Sequence, residues 1–147
     1  IGYEPDVGLV KLARFCAERL KVGRVAFFNM GMDLETVKSM PTADITLVMS
    51  VFHNWVREYG YENALEILEK IWDRTNVAMF FEVPNTLENK KVAKFMPAMG
   101  NTIDGCEKFV SDLLKNKLKS SDVKSLGLYP TDFRPNERRH LFVVRKI

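Results

Sequence analysis

Near the middle of the chain, Ile45 to Val51 are apolar apart from two hydroxyls, and they run without clear alternation. A strand with one wet face would alternate. An unbroken apolar run suits a strand buried on both faces of a parallel sheet. Asp44 opens this run and Ser50-Val51-Phe52-His53-Asn54-Trp55 closes it, so polar and aromatic groups gather at its carboxyl end. In open α/β sheets, ligands bind beyond that end. The competing reading is an ordinary core strand with a polar exit.

The same patterning divides the rest of the chain. Ile1-Gly-Tyr-Glu-Pro-Asp6 reads as a strand end followed by a helix start, with Asp6 as N-cap. Leu9/Val10, Ala13, Cys16/Ala17 and Leu20 recur at helical spacing up to Gly23. Arg24 to Met30 is a second strand, Gly31-Met32-Asp33 a turn, and Leu34 to Met40 a short helix stopped by Pro41. After the central strand comes a long helix, Glu58 to Asp73, with Tyr61, Ala64/Leu65, Leu68 and Ile71/Trp72 on its apolar stripe. Val77 to Phe81 is a strand that exits through Glu82-Val83-Pro84-Asn85. Asp104-Gly-Cys-Glu107 has capping-box spacing, and Cys106, Phe109/Val110, Leu113/Leu114 and Leu118 line the helix behind it. Val123 to Tyr129 and His140 to Ile147 are strands joined by a polar turn, a connection short enough to require antiparallel pairing.

The order is β-α-β-α-β-α-β-α-β-β. This predicts an α/β fold: one domain over residues 1–147, with a doubly wound, mostly parallel sheet that ends in a C-terminal antiparallel hairpin. Residues 84–103 hold two prolines, Gly100 and Lys90, Lys91 and Lys94, with no sustained period. They are expected to form a mobile flap, the alternative being a short helix from Leu87 to Met96 that packs Val92, Phe95 and Met96.

Composition adds limits. The chain has 147 residues, 46% hydrophobic and 28% charged, an ordinary globular balance with no run long enough to span a membrane. Cys16 and Cys106 both fall on apolar stripes, so both are expected as reduced core residues in a cytoplasmic protein. Two histidines and two cysteines without ligand spacing give no metal site. Net charge is only +3, although Lys115, Lys117, Lys119, Arg134, Arg138, Arg139, Arg145 and Lys146 crowd the last third. That crowding suits either a phosphate-binding face or, as preferred here, a solvated one. No aromatics interleave with it, so nucleic-acid stacking is unsupported.

Four segments together resemble the class I S-adenosylmethionine-dependent methyltransferases. Gly2-Tyr3-Glu4-Pro5 looks like that family's second strand end, Gly31-Met32-Asp33 like the loop after its third strand, Asp44 to His53 like its fourth strand and exit, and Leu126-Gly127-Leu128 with His140 to Val144 like its terminal hairpin. The resemblance implies S-adenosylmethionine as cofactor. It places Glu4 on the ribose, Met32 and Asp33 by the adenine, and Ser50 and Phe52 along the same ligand. The family's first strand and glycine-rich loop have no counterpart; they would lie before Ile1, so the expectation is a fragment. Such a fragment would bind cofactor poorly and self-associate through the exposed sheet gap.

Each residue also has a structural reading. Glu4 suits a diol but also a solvated charge at a helix start. Asp33 is equally a turn acid, and Phe52 equally a core ring. His53 suits a general base or a structural hydrogen-bond donor, and Glu82 is the second candidate base. Trp55, Glu82 and Asn85 face substrate by position alone. The reading that follows is methyl transfer to a small-molecule or saccharide acceptor. A catalytically inactive Rossmann-like binding or oligomerisation domain is the alternative. A nicotinamide-dependent oxidoreductase is disfavoured by the terminal hairpin.

Overall fold

The computed structural model describes residues 1–87, 90–120, 122–130 and 138–146. Residues 131–137 of the expected polar turn (Arg134 among them), residues 88–89 of the expected flap, and Ile147 lie outside them. The chain falls into two compact units, Ile1–Ser39 and Met40–Ile147.

In the first unit, β1 (Gly2–Tyr3) pairs in parallel with β2 (Phe27–Phe28), and α1 (Val7–Arg19) makes the crossover. Asp6 caps α1 as its sequence position predicts, accepting from the Gly8 and Leu9 amides at 2.7 and 3.0 Å. The strand expected over residues 24–30 shrinks to two residues. Arg14 ties its edge down by donating to the Phe27 carbonyl at 2.7 Å. The helical stripe is only partly used: Val10 is buried, whereas Leu9, Leu20 and Cys16 are exposed. Cys16 is therefore not a core residue. A two-stranded ribbon offers too little surface to cover a whole helical face. α2 (Thr36–Ser39) closes the unit.

The second unit holds β3 (Ala43–Met49), β4 (Thr75–Glu82), β5 (Val123–Pro130) and β6 (Arg138–Arg145) in the order β3-β4-β6-β5. β3 and β4 are parallel, with Thr46 beside Met79 and Val48 beside Phe81. β6 inserts antiparallel between β4 and β5, setting Phe142 beside Phe81 and His140 beside Leu128. The expected terminal hairpin is present, and its last strand is the inner one. β3 is an edge strand of this sheet. Val48 points into the core while Ile45 and Leu47 are 57% and 69% exposed, so the apolar run is not buried on both faces.

The helix expected over residues 58–73 is two helices, α3 (Phe52–Tyr59) and α4 (Tyr61–Asp73). They break at Gly60, whose φ of 85° is cheap only for glycine. α3 thus starts directly after the β3 exit. The core joins Phe81, Met79, Phe142 and Val144 of the sheet to Phe52, Ile67, Leu68 and Leu114 of the helices. The fully buried Thr75 hydroxyl is satisfied by the Ile71 carbonyl at 2.9 Å and the Thr46 hydroxyl at 2.8 Å.

Among the described residues between 84 and 103, Pro84, Asn85, Val92, Met96 and Met99 are buried. A single 3₁₀ turn, Val92–Lys94, holds buried Val92 and is followed by buried Met96 and Met99, while Leu87, Lys90, Lys91 and Lys94 are exposed. Gly100 lies against Gly105, where an added Cβ would meet backbone at 3.2 Å, and this fixes the approach to α5 (Ile103–Leu118). The cap of α5 is Thr102, which accepts from the Gly105 amide at 3.0 Å; Asp104 lies inside the first turn. Cys106 on this helix is buried, as its stripe position predicts.

Candidate functional site

The carboxyl ends of β3 and β4 lie side by side because the strands are parallel and in register, Met49 beside Glu82. The chain must turn sharply from β3 into α3, and Ser50 makes the turn with φ 56°, in the left-handed region. Its amide donates to the Glu82 carbonyl at 3.1 Å, and its own carbonyl accepts from Asn54 Nδ2 at 3.3 Å. The Ser50 hydroxyl donates to Glu82 Oε1 at 2.5 Å. Arg139, near the start of β6, reaches the same point: its Nη1 donates to Glu82 Oε1 at 2.9 Å and to the Ser50 hydroxyl. Both charged side chains are largely buried, 17% and 18% exposed. A charge-assisted pair in such surroundings is stronger than a surface pair, and losing one partner leaves an uncompensated charge.

His53 stands in the first turn of α3, beside this cluster. Its Nδ1 is buried and has no hydrogen-bond partner among the described residues. Burial pushes its pKa down to about 4; the Arg139 and Arg57 cations push the same way and the Glu82 carboxylate opposes them. The imidazole is therefore neutral at physiological pH.

The other residues singled out from the sequence are placed as follows. Phe52 is 1% exposed, edge-on to Trp55, Tyr61 and Phe81, so it occupies the core alternative. Trp55 is also buried with it and presents no open face. Asn85 is buried, its Nδ2 donating to the Arg138 carbonyl at 3.5 Å. These three support the site from within.

In the first unit, Glu4 follows β1, and its amide extends the ladder to the Phe28 carbonyl at 3.1 Å. Oε1 accepts from the Asp6 amide at 2.9 Å, and Oε2 has no partner among the described residues. Asp33 caps α2, with Oδ1 accepting from the Glu35 and Thr36 amides at 3.0 and 2.7 Å. The Thr36 backbone bond leads the causes that hold its carboxyl below the usual range. Met32, beside it, is half-buried.

Arg139 is the residue that sequence reasoning missed, by assigning it to a dispersed basic surface. The described basic residues of that stretch do not form one face: Arg145 pairs with Asp122 at 3.6 Å, and Lys146 lies over the Trp72 ring at 5.1 Å. One signal was present. Arg139 lies near the start of a strand whose later members, Leu141 to Val144, are apolar, and a cation at such a strand end is drawn to a carboxylate.

No family model matches this chain, and no curated protein matches it. Solved structures do. The bifunctional kinase-methyltransferase WbdD superposes with a TM-score of 0.74 at 18% identity, over 97% of this chain and 29% of its own. Magnesium protoporphyrin IX methyltransferase from Synechocystis PCC 6803, with bound S-adenosylmethionine, gives 0.58 at 14% identity, over 99% of this chain and 58% of its own. A precorrin 8w decarboxylase from Methanobacterium thermoautotrophicum gives 0.55 at 14% identity, over 97% and 67%. The chain thus spans under a third of WbdD. Its fold is that of the class I, Rossmann-like methyltransferases, as the order of strands and the terminal hairpin predict.

Proposed function

We propose that residues 1–147, as one methyltransferase-like domain, serve S-adenosylmethionine-dependent methyl transfer to a small-molecule or saccharide acceptor. The observation that carries this reading is Glu4: a carboxylate at the carboxyl end of a parallel strand, with one oxygen spent on the local turn and the other unpartnered among the described residues. Such an oxygen fits a ribose hydroxyl. The bound cofactor in the protoporphyrin methyltransferase and the small-molecule substrate in that protein's name support the reading.

Glu4 would hold the ribose, with Met32 and Asp33 toward the adenine. When bound, S-adenosylmethionine supplies an activated methyl group on a neutral leaving group. What remains for the protein is alignment and removal of one proton. Of the two candidate bases, His53 is the better placed. Glu82 Oε1 is already engaged by Arg139 and Ser50, whereas the His53 imidazole is neutral. A weak base suffices here, because an acceptor hydroxyl becomes far more acidic as its oxygen gains the methyl group. Trp55 and Asn85 fix the floor beneath.

Calorimetry of the full-length protein with S-adenosylmethionine tests the reading. Glu4→Ala should weaken binding by about 1–3 kcal/mol, the scale of a lost charge-assisted hydrogen bond. Unchanged affinity would remove Glu4 from the site, and no binding by the wild type would overturn the function.

A further inference from the structure

We propose that Arg139 is the positioning residue of this site: by clamping Glu82 and Ser50 together it fixes the turn that aims His53 and sets a paired cation and carboxylate beside that imidazole, the group that accepts the proton. The catalytic half of this statement rests on the function proposed above; the clamp itself does not.

The geometry is specific. Arg139 stands near the start of β6, beside Tyr129 of β5, while Glu82 ends β4 and Ser50 follows β3. One guanidinium nitrogen, Nη1, donates to both Glu82 Oε1 and the Ser50 hydroxyl, and that hydroxyl donates to the same carboxylate oxygen. Three elements far apart in sequence are pinned at one point. Two consequences follow. The carboxylate oxygen that faces the turn accepts from both donors at once, which ties the end of β4 to the turn. The Ser50 turn is held in a left-handed conformation that serine does not favour, and this aims the first turn of α3, with His53 on it.

The charges that act on His53 come from three elements. Arg57 lies on α3 itself, Arg139 on β6 and Glu82 on β4. Arg139 acts twice in one direction: its own cation repels an imidazolium, and its pairing with Glu82 offsets the anion that would favour one. Removing it deletes a repulsion and unmasks an attraction, so both changes raise the basicity of His53. Burial remains the larger cause of its low value and is unaffected by a volume-conserving change.

The experiment is an NMR titration of the His53 imidazole in the full-length protein, paired with the pH profile of methyl transfer. In Arg139→Met the His53 midpoint should rise by about one pH unit, which corresponds to a tenfold change in proton affinity. Arg139→Lys keeps the cation without the planar fork and should stay near the wild type. Glu82→Gln keeps the volume, deletes the anion and should move the midpoint the opposite way. It carries the test should Arg139→Met fail to fold. A merely structural arginine would lower stability and leave the titration where it was. An unmoved His53 midpoint in Arg139→Met, or the same sign of shift in Glu82→Gln, would overturn the proposal. If the midpoint moves but the acid limb of the activity profile does not follow, the clamp stands and His53 is removed from catalysis.

Discussion

Phe52 offers the sharpest test of where side chains point. The sequence leaves it open as a ring over a ligand or a ring in the core, and the two differ greatly in energy. In the structure it is 1% exposed and meets Phe81 at 5.6 Å and Trp55 and Tyr61 at 6.4 Å, all edge-on. Truncating a buried phenylalanine to alanine costs about 3–5 kcal/mol, from lost transfer energy and the cavity left behind. Three edge-to-face contacts, each worth roughly 0.5–1.5 kcal/mol beyond area, put Phe52→Ala in the upper half of that range. Phe52→Leu, which keeps most of the volume, should cost roughly 1–2 kcal/mol. Urea denaturation followed by tryptophan fluorescence is suited to the measurement, because Trp55 and Trp72 are both buried in the unit that Phe52 stabilises. A loss below about 1 kcal/mol for Phe52→Ala, with an unchanged denaturant slope, would refute the core assignment.

Two further outcomes follow from local chemistry. Thr102→Ala should destabilise the protein by about 1 kcal/mol in thermal or urea unfolding, the usual value of an N-cap, while Asp104→Ala should cost only a few tenths; the reverse order would return the cap to Asp104. Asp33 has a depressed folded pKa, so its contribution is present above the unfolded carboxylate pKa and lost as pH falls through the folded one. The wild type should therefore be more stable than Asp33→Ala at neutral pH, with the gap narrowing in acid; a gap independent of pH would show that the capping charge contributes nothing.

Much of the architecture was legible because it rests on short-range pattern. Asp6 before an apolar stripe, the Val77 to Phe81 run and the paired terminal strands each carry their own signal, and strand–helix alternation orders them. The misses arose where tertiary context overrides pattern. The run from Ile45 to Val51 looks buried on both faces, yet β3 lies at the edge of its sheet and Leu47 is exposed. Gly60 sits in an apolar period that continues on either side of it, so periodicity alone fuses α3 with α4. Thr102 outranks Asp104 as a cap because the chain is extended at 102, with φ −137° and ψ 161°, and only backbone geometry reveals that. At the candidate site, His53 and Glu82 were singled out from their place at strand ends. Arg139 was not, since its contact with Ser50 spans 89 residues and no local pattern encodes it.

Backbone strain points to the same place as the ion pair. Among the described residues, four non-glycines have positive φ: Lys21, Arg24, Ser50 and Lys119. Lys119 is the C-cap of α5, where a left-handed residue ends a helix in the ordinary way, and Lys21 and Arg24 flank the turn after α1. Ser50 alone stands where a strand passes into a helix; the other three follow helices. A left-handed serine costs roughly 1–2 kcal/mol, and such conformations persist only where the surroundings over-determine them. Here the surroundings are specific: an amide bond to Glu82, a carbonyl bond from Asn54, and a hydroxyl held between a carboxylate and a guanidinium. A plain core strand with a polar exit requires none of these. Local preference and global geometry disagree at the residue that leads into the helix of His53, and the strain there is held by the same three contacts that bring Glu82 and Arg139 together.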